Sequence, residues 1–320
     1  MSRKRTSRLC TGGSAILAIA LAAGCASLQT DRIRATAEVF PDPVELTSVP
    51  FFPQEEYQCG PAALATVLSW SGTQVTPADL APQVYIPERQ GSLQLELMGA
   101  ARRNGRIPYV LQPQLESLLA EVASDNPVVI LQNLSLPWYP VWHYAVVVGF
   151  DLKSDRLVLR SGREKRREVP FKVFERTWRR SHYWSMVVMP PDRLPFTAEE
   201  IPYVQAVAPL ERIGRWNETV IAYDTVLKRW PKSLAARMGL GNSRYALADL
   251  HGAEEAFRQA TRDHPDAAVA YNNLALTLAD QQKWEEARVA ARRAVDIGGP
   301  QAESFRDTLQ QIENQPVNKN

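Results

Sequence analysis

Cysteine is almost missing from this chain. There are three in 320 residues, at positions 10, 25 and 59, and only the last lies beyond the first 25 residues. A single thiol can build neither an internal disulfide framework nor a multi-cysteine metal site, and no other residue cluster calls for a metal. Histidine is nearly as scarce, with four, so any chemistry needing an imidazole base has few candidates. No glycine-rich phosphate-cradling loop is present, so no nucleotide cofactor is implied. The longest apolar stretch near the start, "SAILAIALAA", is ten residues and too short for a permanent membrane span. A net charge of +2 also lacks the basic excess of a nucleic-acid-binding chain. What remains is an ordinary globular composition, long enough for two domains.

The first 25 residues read as a targeting segment. "MSRKRTSR" is a basic start, the apolar run follows, and small residues close it. The stretch "LAAGC", ending at Cys25, resembles the lipobox of bacterial lipoproteins, with Ala22 where that motif usually has Leu. The resemblance implies cleavage before Cys25, acylation of its thiol, and residues 26–44 as a tether. Ala26 after the lipid cysteine implies outer-membrane sorting with the protein facing the periplasm. Cys10 leaves with the signal, which makes Cys59 the one remaining thiol.

Two halves of different texture follow. Residues 45–190 mix helix and strand patterns. "GPAALATVLSW", "SLQLELMGAARRNG" and "QLESLLAEVAS" read as helices, the first with Leu64, Val67 and Leu68 on one face and Gly72 as its stop. "PVVILQ", "HYAVVVGF", "RLVLRS" and "HYWSMVVM" read as strands. Helices first and an antiparallel sheet after is an α+β arrangement. Residues 191–202 read as a linker, and residues 203–312 as an all-α repeat region before a disordered tail, 313–320. Leu240, Gly241, Ala253, Phe257, Ala260 and Pro265 fall at tetratricopeptide spacing. Leu274, Ala287 and Ala294 repeat three of those positions 34 residues on, and Trp216, Tyr223 and Pro231 mark a weaker first unit.

Cys59 stands just ahead of the first helix, with Pro61 suited to its first turn. The positive end of the helix dipole favours a thiolate there. A cysteine nucleophile also needs a base. His251 and His264 fall in the repeats and read as solvated surface, and His182 starts the terminal strand pattern. His143 opens the apolar strand "HYAVVVGF" 84 residues after the cysteine, where a polar ring needs a partner.

Together, "VPFFPQ", "CGPAALATVL" and "HYAVVVGFD" resemble the papain-like cysteine peptidases of family thirty-nine, the bacteriocin-processing or double-glycine leader peptidases and their relatives. The resemblance covers about residues 49–190. It implies a papain-like fold and peptide-bond hydrolysis, with Cys59 as nucleophile and His143 as general base, then acid. It also implies that Gln54 donates to the oxyanion together with the Cys59 amide. Gln54 stands five residues before the cysteine where relatives commonly show six, and Gln58 is the second candidate. Relatives place an Asp at the end of the strand after the histidine strand. Here that position is Ser161, whose hydroxyl can accept from the ring but adds no charge; Asp151 reads as a turn residue. Hydrolysis of a peptide or protein substrate is thus the expected reaction, with the repeats holding a protein partner and the lipid holding the membrane. Alternatives are a same-fold acyltransferase, a catalytically weak peptide-binding module, and a scaffold in which Cys59 is inert. The basic run "RSGREKRREV" reads as a solvated hairpin, and "LPWYPVW" before His143 as either a cleft wall or a packed loop.

Overall fold

The computed structural model describes residues 29–35, 40–54 and 58–315. The expected signal segment with Cys10, the acylation site Cys25, and residues 316–320 of the expected tail lie outside the described residues. In chain order come α1 (Gln29–Ala35), β1 (Val44–Glu45), α2 (Cys59–Trp70), α3 (Pro77–Val84) and α4 (Gln94–Arg103). Then follow β2 (Ile107–Val110), α5 (Leu115–Ala123), β3 (Val128–Asn133), β4 (Trp142–Asp151), β5 (Arg156–Ser161), β6 (Glu164–Pro170), α6 (Phe171–Arg179) and β7 (Ser185–Met189). The strands form one antiparallel sheet in the order β2-β7-β3-β4-β5-β6, with β1 laid against β4.

Tyr144 to Phe150 are buried without interruption along β4, as are all six residues of β3. Such runs belong to strands covered on both faces, which accounts for their apolar patterns lacking alternation. Gly149 is required where β1 meets β4, since a Cβ there would lie 2.6 Å from the Val44 carbonyl oxygen. The helix α2 is buried from Gly60 through Leu68. Its alanines allow close packing against the sheet, so all its sides are apolar, not only the stripe of Leu64, Val67 and Leu68. Gly72 closes the turn after it at φ +90°.

Three sequence expectations change. The strand expected from His182 begins only at Ser185, because His182 and Tyr183 adopt left-handed φ of 55° and 59° in the turn after α6. The basic run is a hairpin, but Arg160 within it is buried, donating to the carbonyls of Lys165, Val49 and Leu46. The region expected as a tether contains α1, which is docked. Glu175 of α6 accepts from the amides of Gln29 and Thr30 at 2.7 and 2.8 Å, and Thr30 is 1% exposed.

The second half is helical throughout: α7 (Glu200–Arg212), α8 (Trp216–Arg229), α9 (Leu234–Ala246), α10 (Leu250–Asp263), α11 (Ala268–Asp280), α12 (Trp284–Ile297) and α13 (Ala302–Glu313). Gly241 of α9 lies under the Phe257 ring of α10, where a Cβ would come within 2.4 Å of ring carbon. This is the small-against-large pairing that the repeat spacing predicts. The stretch expected as a linker is pinned to the sheet domain. The buried carboxylate of Glu121 on α5 accepts from the amides of Phe196 and Thr197 at 3.2 and 2.8 Å and from Asn126 Nδ2 at 2.6 Å. Tyr203 of α7 packs on Tyr109 of β2, and a single apolar core runs from the sheet into α8 and α9.

Candidate active site

Cys59 is the first residue of α2, preceded by Gln58, whose carbonyl accepts from Ala62 N at 3.2 Å. The first turn carries no acidic side chain to offset the positive end of the helix. Gly60 is obligatory beside it, because a Cβ there would meet the Ser92 hydroxyl at 2.4 Å. Two opposing effects act on the thiol. Burial pushes it above the ordinary range, and hydrogen bonds from the amides of Tyr144, Gly60 and Cys59 itself pull it down; burial prevails.

The Tyr144 amide brings β4 to the sulfur, and the preceding residue is His143. This residue lies where the strand emerges from the core: Trp142 is exposed, His143 partly buried and Tyr144 buried. The His143 Nε2 lies 2.8 Å from Ser161 Oγ at the end of β5. Burial, with a smaller contribution from the Arg167 charge on β6, lowers the imidazole to about 4. Both shifts favour the uncharged forms of the thiol and the imidazole. The dipole argument alone predicts a thiolate, and desolvation of both groups opposes it.

Gln54 approaches from the other side. Its backbone N–H donates to Gly162 O at 2.9 Å, its Oε1 accepts from Gly162 N at 3.0 Å, and its Nε2 donates to Tyr144 O at 3.3 Å. Anchored by its oxygen, the amide has one Nε2–H left for another acceptor. Gly162 takes φ +61° directly after Ser161, so one turn places both the serine and the glutamine. The buried Arg160 holds the Leu46–Val49 segment that leads to Gln54. Gln58 caps α2 through its backbone and makes no side-chain capping bond.

Asp151, the last residue of β4, is away from this cluster and accepts from Ser154 N at 2.8 Å across the turn into β5. His251 is exposed beside Glu255, and His264 bonds the Lys232 carbonyl. The structure thus joins His143 to Ser161, Gln54 to Gly162 and Tyr144, and the Tyr144 amide to Cys59, drawing on α2, β4, the end of β5 and the segment ahead of α2. Sequence reading missed the Tyr144 amide, Arg167 and Ser92. Backbone amides carry no sequence signal, and Arg167 is one basic residue among several in a hairpin. Among the described residues no group of histidine, cysteine and carboxylate side chains is arranged to hold a metal. In the repeats, Arg258, Tyr271, Leu274, Val289 and Arg293 line a groove of about 520 Å³ between α10, α11 and α12.

Residues 46–186 match the model of the Peptidase_C39 like family, and residues 238–303 match a tetratricopeptide repeat model. Similar solved structures include a C39-like peptidase from Bacillus anthracis, 18% identical, covering 47% of this chain and 98% of that one at a TM-score of 0.39. The peptidase domain of Streptococcus ComA, a bi-functional ABC transporter, is 20% identical, with 44% and 98% covered and a TM-score of 0.37. The TPR2B domain of yeast Sti1 is 15% identical, with 37% and 100% covered and a TM-score of 0.36. Comparison with curated proteins finds no match. The chain carries a Peptidase_C39-like domain followed by tetratricopeptide repeats.

Proposed function

We propose that this chain is a lipid-anchored cysteine peptidase of the bacterial cell envelope. Cys59 attacks a peptide carbonyl while His143 takes the thiol proton, using Nδ1 if Nε2–H donates to Ser161. The oxyanion is received by the Cys59 amide and the remaining Nε2–H of Gln54. His143 then protonates the leaving amine, giving a thioester and a free amino terminus. Water, deprotonated by His143, hydrolyses the thioester and returns the thiol. The observation that carries this reading is the convergence of a helix-terminal thiol, an imidazole with a fixed Nε2 and a half-committed amide donor. The repeats bind a protein or peptide partner, and the groove beside Tyr271 suits an extended segment with acidic and basic neighbours.

A second reading, a weak peptidase that mainly clamps peptides, is supported by the neutral Ser161 hydroxyl on the His143 ring. Incubating the purified protein with a proteome-derived peptide library tests both. New amino termini that disappear in Cys59→Ala support hydrolysis. Peptides retained by both proteins without cleavage support the clamp and overturn the peptidase.

A further inference from the structure

The docking of α1 has a consequence for where the protein sits. Four peptide units separate Cys25 from Gln29, a reach of at most about 14 Å when fully extended. From Gln29 on, the chain is fastened. Glu175 holds the first two amides and the Thr30 hydroxyl, and Lys172 pairs with Asp31 at 3.1 Å. The Gln29 side chain accepts from Leu115 N at 2.5 Å and donates to Pro113 O at 3.0 Å, capping α5. A lipid on Cys25 would therefore lie within about 14 Å of the fastened Gln29.

The surface around that point has the composition of a membrane-facing one. Arg176 and Arg179 are exposed, four and seven residues beyond Lys172 and so on the same side of α6. The Arg179 charge acts on Tyr183, whose hydroxyl reaches Glu175 beside Gln29. The next residue, Arg180, donates to the carbonyls of Asn133 and Ser135 at 3.1 and 2.6 Å, fastening the β3–β4 loop to the end of α6. Asn133 Oδ1 closes that loop by accepting from Ser135 N and Val141 N, both at 3.0 Å. Although held by these bonds, the loop presents Trp138 at 79% and Tyr139 at 73% exposure, with Leu136 and Val141 also exposed. Tryptophan and tyrosine beside arginines are the side chains that settle at the headgroup level of a bilayer.

We infer that this face, formed by the C-terminal end of α6 and the Leu134–Val141 loop, docks on a phospholipid surface with anionic headgroups. The inference rests on the proposed acylation of Cys25. Docking places the loop that leads into His143 at the membrane, so the cleft opens to peptides presented at the bilayer surface.

The test uses the full chain purified from membranes and reconstituted in phosphatidylethanolamine–phosphatidylglycerol vesicles containing brominated lipid. Mass spectrometry of the N-terminal peptide first reads the state of Cys25. Tryptophan fluorescence should then be quenched, with the quenched fraction falling in Trp138→Phe. Arg176→Glu combined with Arg179→Glu should weaken docking by about tenfold or more. An unmodified Cys25 overturns both the anchor and the docked face. An acylated chain whose Trp138 is not quenched overturns the docked face alone. In that case, loss of peptide turnover in Trp138→Ser would assign the loop to substrate instead.

Discussion

The imidazole of His143 is held by the hydroxyl of Ser161, with 2.8 Å between Nε2 and Oγ, and among the described residues no carboxylate shares that contact. A hydroxyl fixes the ring's orientation but brings no negative charge to its protonated form. The imidazole accordingly lies at about 4, lowered by burial and by Arg167. Replacing Ser161 with Asp supplies the missing charge. The His143 titration, followed by its ring proton resonances, should move upward by at least one unit. Peptide turnover should rise, because loss of an orienting carboxylate from comparable triads costs orders of magnitude.

Gln54 is bound to Gly162 at both its backbone and its side-chain oxygen, which aims its remaining amide hydrogen. Gln54→Ala should reduce peptide turnover by about 10²–10³-fold, the usual effect of losing one oxyanion donor. Alkylation of Cys59 by iodoacetamide forms no oxyanion and should change by less than about threefold. Equal loss in both assays would give Gln54 a merely structural role.

The lowered imidazole also makes a stability prediction. Between pH 6.5 and about 4 the unfolded chain binds a proton at His143 that the folded chain does not. This contribution is therefore fully present above the unfolded value and is lost as the pH falls toward 4. A shift of this size corresponds to about 3 kcal/mol. Urea unfolding at pH 7 and pH 4 should show a smaller acid loss in His143→Gln than in the unaltered protein.

Glu121 joins the two halves of the molecule. Its carboxylate receives the amides of Phe196 and Thr197 ahead of α7, together with Asn126 and the Thr197 hydroxyl. Glu121→Leu leaves these donors buried without an acceptor, at a cost of roughly 1–3 kcal/mol for each unsatisfied group. The predicted result is protease sensitivity at residues 191–199 and separate thermal transitions for the sheet domain and the repeats. A single, unshifted transition would mean that the helical array is held mainly by the Tyr109–Tyr203 packing.

Much of the architecture was readable from the sequence because its signals are local. The apolar runs of β3 and β4 and the small-residue spacing of the repeats depend on nearby residues. Cys59 and His143 were legible as the one thiol and the one histidine opening a buried strand. Other features depend on contacts across the fold. Glu175 and Glu121 look like ordinary helix-surface acids until α1 and the Phe196–Thr197 segment arrive to use them. Arg160 reads as part of a solvated basic run, yet its guanidinium turns inward to three carbonyls. The helix terminus at Cys59 is visible in the sequence, whereas the desolvation that opposes a thiolate there is not.

The central claim is that His143 acts as the base for Cys59, and the pH profile of iodoacetamide labelling tests it most directly. If the proton passes from sulfur to the ring, labelling of the unaltered protein should stay nearly constant from about pH 5 to pH 7. In His143→Ala, labelling should fall about tenfold per pH unit over the same interval, because only free thiolate reacts. Parallel decline in the two proteins, with no His143-dependent plateau, would contradict the account and leave Cys59 an unassisted buried thiol.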